Sequence, residues 1–270
     1  MDFSKIKLIA TDMDGTLLNS NHEVSEEFYS LFEALKSYNI LFVAASGRPY
    51  YSMVDKLSKI KEDIIIVSEN GGIGVKNEEL FLSTPFTTKN FKEISELITS
   101  LKETHAVFCA KEKAYVLSDS KILIELLKEY YPINNIISNP LDITEPVYKV
   151  ALFHEESSER FIYPVVKHLE NRFKVKVSAN HWVDISENKA NKGHAISLIQ
   201  KKYNITPDET MAFGDYKNDI EMLQLATFSY AMDNAHNEVK AVANYITKSN
   251  DNYGVESILK QLILDKQKRS

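Results

Sequence analysis

Two aspartates one residue apart, Asp12 and Asp14, close the apolar run Ile6-Lys7-Leu8-Ile9-Ala10-Thr11 and are followed by Gly15 and Thr16. Carboxylates at the carboxyl end of a buried parallel strand stand where open α/β sheets build their sites. Successive strand residues point to opposite faces, so Asp12 and Asp14 can flank one small site while Met13 turns away. Polar residues punctuate apolar elements at three further places: Ser46-Gly47, Lys192 at a helix start, and Gly214-Asp215 with Asn218-Asp219. Together these residue types suit phosphoryl transfer. Asp12, Asp215 and Asp219 can hold a hard cation, and Mg²⁺ takes oxygen ligands and few protein carboxylates. Ser46 and the Gly47 amide offer neutral hydrogen bonds to phosphate oxygens, and Lys192 adds a point charge beside a helix N-terminus. A carboxylate attacking a phosphate dianion meets like-charge repulsion, which the cation and the lysine offset.

The elements that must position these groups alternate. Ile40–Ala45 and Ile64–Val67 are continuous apolar runs of strand length. Between and before them, Phe28, Leu31, Phe32 and Leu35 (behind a capping Ser25) and Met53, Leu57 and Ile60 (behind Pro49) recur at helical spacing. Strands apolar on both faces, separated by helices, predict a parallel sheet covered by helices. Near Ser83-Thr84-Pro85 the rhythm changes. A helix through Phe91, Ile94, Ile98 and Leu101 precedes a hairpin of Ala106–Ala110 and Ala114–Leu117, then a helix from Ile122 to Tyr130. A strand over Val147–Phe153, a helical stretch from about Ser158 to Phe173 that Pro164 must kink or start, and a hairpin around Asn180-His181 complete this segment. From Ser186 the first rhythm returns, with a helix after Asn191-Lys192-Gly193, strands at Thr210–Phe213, Phe228–Met232 and Tyr245-Ile246, and a closing helix over Val255–Leu264. The expected fold is α/β. Residues 1–82 and 188–270 form a discontinuous Rossmann-like parallel-sheet core, and 83–187 an inserted α+β unit.

Bulk properties narrow the class. The 270 residues, 44% apolar, suffice for one large or two modest cores. A net charge of -6 argues against a general nucleic-acid binder but not against an anionic substrate neutralised locally by a cation. A single cysteine, Cys109, rules out an intrachain disulfide and suits a reducing compartment. The amino-terminal residues do not resemble a signal peptide, no window has the length of a membrane span, and a soluble cytoplasmic protein is expected. Seven histidines without metal-like spacing suggest no zinc site.

Asp12-x-Asp14-Gly15-Thr16, Ser46-Gly47-Arg48, Lys192-Gly193 and Gly214-Asp215-x-x-Asn218-Asp219 resemble, in order, the four motifs of the haloacid dehalogenase superfamily. The size and element order of the insert, with Glu69-Asn70-Gly71, Ala231-Met232-Asp233-Asn234-Ala235 and Asn252-Tyr253-Gly254-Val255, resemble the Cof-like sugar-phosphate phosphatases with a type IIB cap. The resemblance implies that Asp12 is the nucleophile that forms an aspartyl-phosphate. It implies that Asp14 protonates the leaving alcohol and later activates water. The Asp12 and Asp215 carboxylates with the Asp14 carbonyl would bind Mg²⁺, and Ser46, Gly47, Lys192 and Asn218 would hold the phosphate. Thr16 would orient Asp14, and Asp219 would support the metal or Lys192 from behind. The substrate so implied is a small phosphomonoester, a sugar phosphate or a phosphorylated cofactor.

Each residue also has a plainer reading. Alone, Ser46-Gly47 is a turn, Lys192 a solvated helix residue, and Asn218 or Asp219 a cap. Asn70 reads equally as a turn residue or a ligand contact, while Tyr130 and Trp182 read as core of the insert. Two other functions use a similar kit. A phosphomutase of the phosphomannomutase type would return the phosphate to the sugar, and a non-catalytic sensor would keep it on an acceptor aspartate. The second aspartate and the insert argue against the sensor.

Overall fold

The computed structural model describes residues 2–101 and 103–269. The chain opens with β1 (Leu8–Thr11), α1 (Glu26–Lys36), β2 (Leu41–Ala45), α2 (Tyr50–Lys56), β3 (Ile65–Ser68), β4 (Ile73–Lys76) and β5 (Glu79–Ser83). It continues through α3 (Thr88–Ser100), β6 (His105–Cys109), β7 (Ala114–Leu117), α4 (Lys121–Tyr130), β8 (Asn134–Ile136) and β9 (Lys149–Phe153). Next come α5 (Ser158–Phe161), α6 (Tyr163–Val166), β10 (Phe173–Ala179) and β11 (Trp182–Glu187). The last third holds α7 (Lys192–Tyr203), β12 (Thr210–Gly214), α8 (Ile220–Leu223), β13 (Phe228–Ala231), α9 (Asn237–Val242), β14 (Tyr245–Ile246) and α10 (Gly254–Gln267).

Both ends of the chain build the first sheet, in the order β14-β13-β12-β1-β2-β3-β4-β5. From β14 to β3 the pairs are parallel, and Leu8 lies beside both Thr210 and Leu41. The α/β class and the parallel core expected above are present. The edge differs: β4 and β5 add an antiparallel hairpin. Residues 73–83 carry a glycine and several polar side chains, so nothing in their pattern marks a strand until β3 offers its free edge. The apolar cluster around this sheet draws on residues 3–82 and 195–263. Within it Phe28 and Phe32 of α1 meet Phe42 of β2 with ring centroids 5.4 and 5.6 Å apart. Each fully buried Phe contributes about 1.5–3 kcal/mol. Ser25 starts α1 where the sequence places the cap, its side chain accepting from Phe28 N.

The second sheet runs β10-β11-β9-β6-β7-β8, antiparallel except for the short β7–β8 pair. One face packs on α3, α5 and α6 through Ile94, Ile98, Ile162 and Val166; part of the other packs on α4 through Leu123 and Leu127. The single helix expected over 158–173 is instead broken into α5, α6 and a 3₁₀ turn at Lys167–Asn171, with Pro164 in the first turn of α6. Proline is tolerated there because the first N–H groups of a helix have no intrahelical partner. β8 was not legible in the sequence, since Asn134-Asn135-Ile136 shows no apolar alternation and only its pairing with β7 defines it.

Candidate active site

The candidate groups collect at the carboxyl edge of the first sheet because its central strands stop in register. Asp12 is the first residue past β1, and its amide still bonds Phe213 O of β12 at 3.0 Å. β12 ends at Gly214 and hands over Asp215, while β2 ends at Ala45 and hands over Ser46. α7 begins at Lys192, capped by Asn191, whose Oδ1 accepts from His194 N at 2.6 Å. Behind β1 the chain doubles back at Gly15, with φ +75°, and its Cα lies against Asp215, where a Cβ would strike the carboxylate. Only glycine takes this backbone without strain.

Asp12, Asp215 and Asp219 each present an oxygen, and all three lie within 4.8 Å of one another. The Lys192 ammonium donates to Asp12 and, at 2.6 Å, to Asp219 Oδ1. Asp219 Oδ2 accepts from the backbone amides of Asp215 and Tyr216 at 3.0 and 3.1 Å. Asp219 is thus committed to protein donors. Thr16 Oγ1 donates to Asp215 Oδ1 at 3.2 Å, which corrects the expectation that it orients Asp14.

Burial pushes the Asp12 carboxyl well above its usual range; the Asp219 and Asp215 charges push the same way, and Lys192 pulls back. Asp215 is raised to about 6 by burial, then by Asp219. Burial alone would lower Lys192, but Asp12 and Asp219 overturn this and hold its ammonium above the ordinary value. One ammonium among three carboxylates leaves surplus negative charge in a buried place. An all-oxygen donor set without histidine or cysteine matches a hard divalent cation, and Mg²⁺ fits it. Asp12 and Asp215 are the carboxylates that would hold it, since Asp219 is already satisfied.

Asp14 stands apart from this cluster. Its carboxylate is 40% exposed and is forked by Arg48, with Nε 2.8 Å from Oδ2 and Nη2 2.6 Å from Oδ1. His22 Nδ1 lies 3.4 Å from Oδ1. Arg48 itself is 4% exposed, and the ring of Tyr130 from α4 lies 5.8 Å from its Cζ. Tyr130, expected in the core of the insert, is therefore a partly exposed residue beside Arg48. Trp182 does pack inward, on Phe153 at 5.0 Å.

On the other flank Ser46 Oγ accepts from Arg48 N at 3.1 Å, and Asn218 Nδ2 donates to Asn70 Oδ1 at 2.9 Å. The Asn70 amide lies beside the Cα of Gly47. Ser46, Gly47, Asn70 and Asn218 thus form one polar wall. Sequence reasoning passed over Arg48 and Glu69, which sit inside quoted motifs without a role, and Lys149. The last did leave a signal, a charge inside the apolar run 147–153 that strand burial alone does not explain.

Comparison with known proteins gives one answer. The sequence model of a family described as haloacid dehalogenase-like hydrolase matches residues 9–259. The chain is 31% identical over 264 residues to the 5-amino-6-(5-phospho-D-ribitylamino)uracil phosphatase YbjI of Escherichia coli (strain K12), covering 96% of each. Among solved structures, SMU.1108c from Streptococcus mutans UA159 superposes with a TM-score of 0.87 at 30% identity, over 96% of this chain and 99% of that one. The subclass IIB sugar phosphatase BT4131 shares the fold, with a TM-score of 0.81 at 22% identity over 94% and 98% of the two chains.

Proposed function

We propose that this chain, which belongs to the haloacid dehalogenase-like hydrolases, is a Mg²⁺-dependent phosphatase that passes the phosphoryl group through Asp12. It hydrolyses phosphoric monoesters. The observation that carries the residue assignment is the buried Asp12–Lys192–Asp219 contact with Asp215 beside it. Asp12 is the carboxylate nearest Lys192 and is not tied up by backbone donors as Asp219 is, so its oxygen is the one available for attack.

In the first half-reaction an Asp12 oxygen bonds to phosphorus as the bond to the leaving oxygen breaks, and Asp14 gives that oxygen a proton. In the second, water attacks phosphorus while Asp14 takes its proton, and the Asp12 carboxylate departs. Asp14 suits the exposed end of this path, since it is the accessible carboxylate of the set and the alcohol must leave toward solvent. Proton transfer of this kind contributes about 10²- to 10⁴-fold. Mg²⁺, held by Asp12, Asp215 and the Asp14 carbonyl, would supply charge neutralisation at the phosphate. Lys192 would add a second positive charge at the phosphate, and Ser46, the Gly47 amide and Asn218 would hydrogen-bond the non-bridging oxygens.

Residues 83–187 are assigned as a cap over this edge, with 1–82 and 188–270 as the catalytic unit. The substrate class is a small phosphorylated metabolite, a sugar phosphate or a phosphorylated cofactor; the phosphoribityl substrate named for the Escherichia coli relative belongs to that class. A panel of small phosphomonoesters assayed with Mg²⁺ and with excess chelator tests the reading. Phosphate release that requires Mg²⁺ is expected, and release indifferent to the chelator would remove the metal from it.

A further inference from the structure

The second sheet reaches into the phosphate wall through one buried side chain. Lys149, the first residue of β9, is 3% exposed and donates from Nζ to the carbonyl of Gly47 at 3.0 Å. The same ammonium lies 2.7 Å from Oε2 of Glu69, whose carboxylate is wholly buried, and 5.8 Å from the ring centre of Tyr131. Burial would discharge both groups. Glu69 is raised by burial; at Lys149 burial pulls down, but Glu69 together with Tyr131, Cys109 and Asp184 outweighs it and holds the ammonium above its ordinary value.

Glu69 and its neighbour hold the rest of the same loop. Asn70 N donates to Ser46 O at 2.9 Å, and Glu69 N to Arg48 O at 3.1 Å. Three consecutive carbonyls, of Ser46, Gly47 and Arg48, are therefore gripped by Asn70, Lys149 and Glu69. In a trans peptide the C=O and the following N–H point in opposite directions. Fixing Ser46 O on Asn70 thus aims the Gly47 N–H away from that loop, and fixing Gly47 O on Lys149 aims Arg48 N toward Ser46 Oγ. The grip has a backbone cost, because Glu69 and Asn70 both sit at positive φ, 50° and 55°. Non-glycine residues in that region cost about 1 kcal/mol or more each and persist where the surroundings over-determine them.

The same short loop touches both chain crossings between the sheets. Gly72 O accepts from Thr84 N at 2.9 Å, and Gly71, at φ +99°, lies against the backbone of Asn191, where a Cβ has no room. Asn191 caps the helix that carries Lys192.

We propose that Lys149 is a positioning residue for the phosphate site, contributed by the inserted segment: paired with Glu69, it clamps the Gly47 carbonyl, so sets the direction of the Arg48 N–H, and through that donor holds the Ser46 hydroxyl in place. The proposal rests on the phosphatase reading, and its test separates the two. Full-length wild type, Lys149→Met and the double variant Glu69→Gln/Lys149→Met are compared by calorimetry for affinity to inorganic phosphate in the presence of Mg²⁺, with thermal unfolding and Mg²⁺ affinity measured in parallel. The single variant strands a buried carboxylate and should melt at lower temperature; the double variant removes both charges and should regain much of that loss. Phosphate affinity should fall about tenfold or more in both, because the Gly47 carbonyl lacks its donor in both, and it should fall further than Mg²⁺ affinity does. Phosphate affinity that returns to the wild-type value in the double variant together with stability makes the pair a purely structural brace and overturns the proposal. Phosphate affinity unchanged in Lys149→Met also overturns it. A wild-type protein that binds no phosphate sinks the phosphatase reading itself.

Discussion

At the scale of the residue, the site is a problem of unbalanced charge. Asp12 and Asp215 are both raised because protein has replaced water around them faster than donors have been supplied. Asp12→Asn should remove the proposed nucleophile and lower turnover by at least about 10³-fold, while the melting temperature stays equal or rises, since the amide relieves repulsion from Asp215 and Asp219. Unfolding curves and phosphate release on the same preparation check both halves. The cation should show a pH signature. A carboxyl raised to about 6 in the folded state holds its proton more tightly there than in the unfolded chain. Without metal, the stability contribution of Asp215 is therefore complete below about pH 4 and is lost as the pH climbs through about 6. Mg²⁺ held there would bind the deprotonated form and reverse that loss. Saturating Mg²⁺ should raise the melting temperature by a few degrees at pH 7 and by clearly less at pH 5. Equal shifts at the two pH values would place the ion elsewhere.

Among the elements, the strand ends matter most, because each delivers one candidate site residue to a common line. Asp12, Ser46, Lys192 and Asp215 were legible in the sequence for this reason: each directly follows a run whose apolar character marks a buried strand, or opens a helix behind a capping residue. What escaped was set by pairing between distant segments. The β4–β5 hairpin exists because β3 has a free side, and the Arg48–Asp14 fork and the Lys149–Glu69 pair join residues from separate elements. Tyr130 was misread because helical periodicity tells which face of α4 is apolar and not which neighbour that face will meet. The turn after β1 offers a test at this scale. Gly15→Ala forces a positive φ on a residue with a Cβ and drives that Cβ into Asp215. Mg²⁺ affinity should fall by an order of magnitude or more, measured by titration calorimetry, with a stability loss of about 1–2 kcal/mol from denaturant unfolding.

For the whole molecule, two sheets, each with its own apolar cluster, are joined by the chain at 83–87 and 187–191, and also through the buried Lys149 contact, the Tyr130 ring beside Arg48 and Tyr148 packed on Ile73 and Val75. The only tryptophan, Trp182, lies in β11 of the second sheet against Phe153 and Tyr131. If residues 83–187 close over the phosphate site, Trp182 emission should move to shorter wavelength when orthovanadate and Mg²⁺ are added. The Asp12→Asn variant serves as control for direct quenching. Emission that ignores vanadate in a protein shown to bind it would count against closure. Among the described residues no helix is long and apolar enough to cross a membrane.

The pairing of residue 8 with residue 210 also bears on how the protein is made. While the ribosome is still translating the insert, Leu8 to Thr11 have one neighbour, β2, and present a bare apolar margin that the finished protein seals completely. Such a margin is adhesive, and it stays open until β12 emerges. The nascent polypeptide therefore carries a long sticky interval, and catalysis must wait until β12 and Asp215 have been made. Stalling or truncation before residue 210 should yield insoluble fragments instead of a weak enzyme.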